Sequence, residues 1–218
     1  TGAPRPLNIR GEYMDISYNA TGLWNDPGAE QGFQIGDASG TYKEVTFPGI
    51  PIQTLVMEYA TLDSDGNFVH HTLGGGVGTA DSGDWEVTCA DSINIGDVVG
   101  VIHEYVFEHG VITKTELMEW DRRSLRVWFE VTNTSGEMIY YPQLAHAFDP
   151  DHDGYFTNME HRSGGRWVGA SGTTSDWTVG YGVCNKTNSG VGVVDEVSMM
   201  DLATEADHLL CDGEGDGF

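Results

Sequence analysis

An antiparallel all-β sandwich with long loops is the fold class this sequence predicts, and three observations predict it. Glycine is abundant and proline scarce, 30 against 7, with aromatics at 11%, which suits many short strands joined by tight turns. Residues 98–131 divide into three apolar segments separated by short turns at hairpin spacing. In the last segment Leu125, Val127, Phe129 and Val131 alternate with Arg126, Trp128 and Glu130, the period of a half-buried strand. At 218 residues the chain suffices for one large β domain that buries roughly 70% of its unfolded surface.

Taken in order, residues 1–7 carry Pro4 and Pro6 and read as an extended N-terminal arm, 8–210 as a single domain, and 211–218 as a flexible acidic tail. Residues 8–19 read as a first strand, with Ile9, Tyr13 and Ile16 as its apolar positions. Residues 22–40, rich in Gly, Asn, Asp and Pro, read as a long loop holding Trp24 and Phe33, and a loop of that length is often functional. Trp24 is read as packed onto the domain, with ligand contact as its alternative role. Strands follow over 43–47, 52–62 and 68–73, the last two joined by the hairpin turn Asp63-Ser64-Asp65-Gly66-Asn67, and a short one over 85–89. The central meander runs 98–108, 112–120 and 125–131. The aromatic, β-branched run 138–144 gives another strand, and 166–170 and 177–183 two more. A partial stripe of Met199, Met200, Leu202, Ala203 and Leu209 allows one short C-terminal helix within 193–210.

The formal net charge is -24, from 34 acidic and 10 basic residues. Phosphate backbones and anionic membrane surfaces would repel such a chain, whereas cations would be attracted to it. No apolar run reaches the ~20 residues needed to span a bilayer, and no basic, apolar leader precedes Thr1, as in a mature secreted protein. Cys89, Cys184 and Cys211 are too few for a disulfide scaffold; a Cys184–Cys211 bridge and three thiols both stay open. Asn19, Asn133 and Asn185 stand in sequons.

The most informative stretch for chemistry is Asp149 to Glu160. Carboxylates at its positions one, three and five (Asp149, Asp151, Asp153), a carbonyl at seven (Tyr155), a direct or water-bridged oxygen at nine (Thr157) and a bidentate carboxylate at twelve (Glu160) form the ligand rhythm of a Ca2+ loop. Gly154 permits the sharp turn. Three carboxylates this close repel one another unless a cation lies between them. The strand-like run before the loop, broken by Pro142, sets it apart from an EF-hand and places it between elements of a β domain.

These residues, with the run Val127 to Gly136, Ala147-Phe148 ahead of the aspartates, Thr157-Asn158 and Ser175 to Gly180, resemble the peptide-binding domains near the distal ends of giant calcium-dependent bacterial adhesins of the repeats-in-toxin type. Residues 46–51 fit the same pattern loosely. The resemblance implies a calcium-dependent sandwich that grips the C-terminal carboxylate of a peptide on another cell's surface, with Asp149, Asp151 and Asp153 as metal ligands. It implies an extracellular or cell-surface, bacterial setting. The cysteines and the lack of a clear pair of closing strands depart from that family.

Enzyme signatures are sparse. His103 and His109 share a strand face but would lie about 20 Å apart, and neither a His-Glu-x-x-His nor a Gly-x-Ser-x-Gly motif occurs. His70 and His71 read as surface or core residues. Glu104, Glu108, Glu116 and Glu119 are the acids a glycoside-active enzyme would draw on. The expectation is therefore a secreted, calcium-dependent, peptide-recognising binding module and not an enzyme. A structural subunit of a surface layer or filament, capable of self-assembly, is the first alternative, and a carbohydrate-active enzyme the second.

Overall fold

The alternation that marks the meander is realised as strands in a computed structural model that describes residues 4–24, 32–36, 40–45, 53–74, 84–148, 158–163, 167–172 and 178–182. The described part is all-β and every strand pairing is antiparallel. Four sheets build it. The first joins β1 (Leu7–Arg10), β2 (Met14–Tyr18), β3 (Phe33–Gly36) and β4 (Tyr42–Glu44) in that order. The central sheet consists of β7 (Glu86–Ile95), β8 (Val98–Phe107), β9 (Gly110–Glu119) and β10 (Leu125–Asn133), a plain meander. A third places β5 (Gln53–Leu62) between β6 (Phe68–Gly74) and β11 (Tyr140–Phe148), and the fourth links β12 (Asn158–Ser163), β13 (Trp167–Gly172) and β14 (Thr178–Gly182).

Several segments differ from expectation for identifiable reasons. Residues 8–19 form a hairpin, β1 against β2, because the chain reverses at Gly11, whose N–H donates to Met14 O at 2.8 Å. A Cβ on Gly11 would lie 2.9 Å from Trp120 O, so the close approach of the central sheet requires glycine there. Tyr13 falls in the turn, half-buried beneath the Arg123 guanidinium at 4.6 Å from its ring. Phe33 opens β3 within the stretch expected to be all loop. The strand expected over 85–89 continues to Ile95, carried through polar Asp91 and Ser92 by its ladder with β8. β12 occupies residues expected to close the acidic loop. The Asp63 to Asn67 hairpin turn is present, its Asp63 carboxylate accepting the N–H groups of Asp65 and Asn67 at 2.9 and 2.8 Å. Those bonds hold the Asp63 carboxyl below its ordinary pKa. No helix occurs among the described residues, and the candidate helix within 193–210 lies outside them, as do Cys184 and Cys211.

The inner face of β8 and β9 carries the core. Toward one end Val101 and Met118 pack with Ile9, Met14, Ile16, Tyr18, Trp24, Phe33 and Val45 of the first sheet and its loops, and with Val179 of β14. Toward the other, Tyr105, Phe107 and Ile112 pack with Leu55, Met57 and Tyr59 of β5 and with Trp85. Each such side chain contributes about 1.5–3 kcal/mol by leaving water. The row between these two apolar clusters is not apolar: His103 pairs in register with Lys114, which faces Phe129, and Val101 pairs with Glu116.

Candidate functional sites

Period-two alternation puts Ile112, Lys114, Glu116 and Met118 on one face of β9, and Ile112 and Met118 are core residues. Lys114 and Glu116 are therefore carried inward with them, and both are 0% exposed. A buried charge persists only with partners. Lys114 Nζ lies 3.0 Å from Glu116 Oε2 and donates to Gly22 O at 3.0 Å. Glu116 Oε1 accepts the Trp24 indole N–H at 2.8 Å. The ammonium also lies 5.9 Å from the Tyr18 ring centroid and 5.7 Å from that of Trp24, within cation–π range. Burial pushes Lys114 down and Glu116 up, toward their neutral forms, and their mutual attraction opposes both shifts.

The segment 19–24 closes over this pair as a strap. Asn19 Oδ1 accepts from Thr21 N, Thr21 Oγ1 and Leu23 N at 2.9, 2.8 and 3.1 Å, which fixes a tight local turn. Gly22 adopts φ +81°, and a Cβ there would stand 2.4 Å from Tyr105 Oη and 2.8 Å from two ring carbons of His103. Only glycine combines that backbone with that proximity. Trp24 is packed onto the domain, as its first reading had it and not its ligand-contact alternative: it is a core residue at 4% exposure, packed on Phe33 and His146 and hydrogen-bonded to Glu116.

His103 is the most isolated group here. It is 0% exposed, its ring sits 5.5 Å from that of Tyr18, and neither ring nitrogen has a hydrogen-bond partner among the described residues. Burial first, and Lys114 second, push its pKa down to about 3. Tyr18 and Tyr105, both within reach of the Glu116 charge, have their pKa values raised chiefly by burial. His146 on β11, partly buried against Trp24 and Phe129, is lowered by burial and by Lys114.

A second imidazole group lies at the far end of the same hairpin. Tyr59 Oη and His109 Nδ1 are 2.9 Å apart, His109 Nε2 is 3.4 Å from Glu137 Oε2, and His71 stacks on Tyr59 with centroids 4.6 Å apart. Thr61 Oγ1 bonds His71 Nε2 at 2.8 Å. Sequence reasoning read His71 as a surface or core residue with no tie to His109; the β5–β6 register sets His71 opposite Tyr59, which bonds His109, and the two imidazole rings lie 5.3 Å apart.

The four acids considered for glycoside chemistry do not converge. Glu116 faces the core, whereas Glu104 and Glu119 lie on the opposite face, six residues apart in register, or about 20 Å. Glu119 is engaged by Arg126 at 3.0 Å. Glu108 sits in the exposed β8–β9 turn.

Of the expected calcium ligands, Asp149, Asp151, Asp153, Tyr155 and Thr157 lie outside the described residues. Glu160 lies on β12 opposite Ala170. The loop therefore runs from β11, paired to β5, to β12, paired to β13, and joins two different sheets. Among the described residues no group of three or more His, Cys, Asp or Glu is arranged to hold a metal, and no helix is long and apolar enough to cross a membrane. Comparison of the chain with protein-family models, curated proteins and solved structures finds no match.

Proposed function

We propose that this chain is an extracellular, calcium-dependent binding module that recognises a peptide or similar surface ligand beside the loop Asp149 to Glu160. What supports the reading is the twelve-residue ligand rhythm of the sequence, which begins directly after β11 of one sheet and ends within β12 of another. Asp149, Asp151, Asp153 and Glu160 supply hard carboxylate oxygens, with Tyr155 and Thr157 completing a set suited to Ca2+. An ion that keeps one coordination position open can accept a ligand carboxylate, so a chain of net charge -24 can still hold an anionic group.

Calorimetry tests this with a free-carboxylate peptide and its amidated form, each with calcium and with chelator. Binding of the free acid in calcium alone is the expected pattern; equal binding of the amide removes carboxylate capture. Asp151→Ala is expected to lower Tm markedly in millimolar calcium and hardly at all in chelator, since only the metal-bound fold loses a ligand. Equal losses in both conditions would count against the site.

The alternative, a structural subunit in which calcium only rigidifies the loop, draws on one surface feature. Phe68, Tyr140 and Tyr141 form an aromatic group with Phe68 50% and Tyr141 71% exposed, and Tyr141 holds φ 51° at an irregularity in β11. Concentration-dependent growth in size by light scattering in calcium favours this reading; a constant monomer removes it.

A further inference from the structure

The polar row at the centre of the core is incomplete in its hydrogen bonding. His103 Nδ1 and Nε2 and Tyr105 Oη are each fully enclosed, and none has a hydrogen-bond partner among the described residues, whereas the equally enclosed Tyr18 Oη lies against the Glu116 carboxylate. These atoms are neighbours: the Tyr18 and His103 rings lie 5.5 Å apart, and Tyr105 Oη and the His103 ring both flank Gly22. A neutral imidazole has one N–H donor and one acceptor nitrogen, and each tyrosine hydroxyl can both donate and accept. Leaving such groups dry in a protein interior forfeits their full solvation, which is why nearly all buried polar atoms are paired with protein or ordered water. Lys114 does not serve His103: two of the three ammonium N–H groups go to Glu116 and Gly22 O, and neither ring nitrogen of His103 lies within hydrogen-bond distance of the third.

We infer that the space bounded by Tyr18, His103, Tyr105 and Glu116 beneath the 19–24 strap is an internal hydration site, holding at least one ordered water that bridges His103 to Tyr105. A buried water typically makes about three hydrogen bonds, and the site offers donors and acceptors of both kinds. Trp24 and Gly22 of the strap hydrogen-bond Glu116 and Lys114 at the edge of the site.

Two measurements on the intact chain decide the matter. A crystal structure at high resolution is expected to show a water peak within about 3.2 Å of both an imidazole nitrogen of His103 and Tyr105 Oη. Direct Tyr105–His103 contact with no peak, or density too large for water, overturns the assignment. Tyr105→Phe keeps the ring and removes one anchor of the water, and its Tm is expected to fall by about 2–4 °C. An unchanged or higher Tm means the hydroxyl had no partner to lose, and likewise overturns it.

Discussion

Two histidines on one hairpin, His103 and His109, are buried to nearly the same degree, 0% and 6% exposed, yet occupy opposite chemical situations. His109 has Tyr59 on one nitrogen and Glu137 near the other, and its carbonyl accepts from Thr134 and Ser135. His103 has no partner on either nitrogen among the described residues, and faces Lys114 across the register. The difference teaches that burial alone does not set a group's character in this fold. What matters is which neighbour the strand register supplies: at His109 a hydroxyl and a carboxylate, at His103 an ammonium already paired elsewhere.

The largest effect is expected from breaking the pair that faces His103. Glu116→Gln keeps an oxygen for the Trp24 indole but leaves Lys114 buried without a counter-charge, and removing one partner of a buried ion pair costs about 3–5 kcal/mol. Lys114→Met combined with Glu116→Gln is expected to recover much of that loss, because no unpaired charge then remains. Chemical denaturation of the two single variants and the double variant measures this, and simple additivity of the singles would show that the two groups act independently.

Acid sharpens the comparison next. Folded His103 has a pKa of about 3 against 6.5 for the free side chain, so between those values the unfolded chain takes up a proton that the folded chain refuses. Its contribution is complete above pH 6.5 and is lost as pH falls toward 3, on the order of 5 kcal/mol over the whole span. His146, also lowered, acts in the same direction. Because carboxylates titrate in part of the same window, the informative quantity is a difference: stability should fall less between pH 7 and pH 4 in His103→Gln than in the unaltered protein. Parallel curves would place the imidazole in a wetter site.

How legible these features were depends on what strand periodicity can encode. The meander was readable because β10 alternates clearly, half-buried Leu125, Val127 and Phe129 against exposed Arg126, Trp128 and Glu130, with only Val131 more open than expected at 38%. The hairpin at Gly11 and strand β12 were not, since Asn158 to Ser163 holds a single apolar residue, Met159, among polar ones and owes its extended form to pairing with β13. The buried pair left one usable trace: Lys114 and Glu116 share parity with Ile112 and Met118, so the face that buries one set buries the other. Their partners came from Gly22 and Trp24, 92 positions earlier in each hydrogen bond, and no local pattern reports a contact of that span. Composition likewise could not bring His71 to His109, which meet through Tyr59, the β5 residue opposite His71 and the hydrogen-bond partner of His109.

The smallest effect lies at the better-satisfied histidine. Tyr59→Phe preserves the ring that stacks on His71 at 4.6 Å and packs near Phe107, and removes only the hydroxyl that meets His109 Nδ1. A net hydrogen bond contributes about 1 kcal/mol, so a Tm loss of about 2–4 °C is expected in a chain of this size. The His109 imidazole nitrogen resonances should move at the same time, because Nδ1 loses its hydrogen-bond partner, while those of His103 stay in place. If instead the His103 signals shift as far as those of His109, the two ends of the hairpin communicate through the row that includes Ile112, Tyr105 and Lys114, and the contrast between a paired and an unpaired imidazole becomes a property of one connected network.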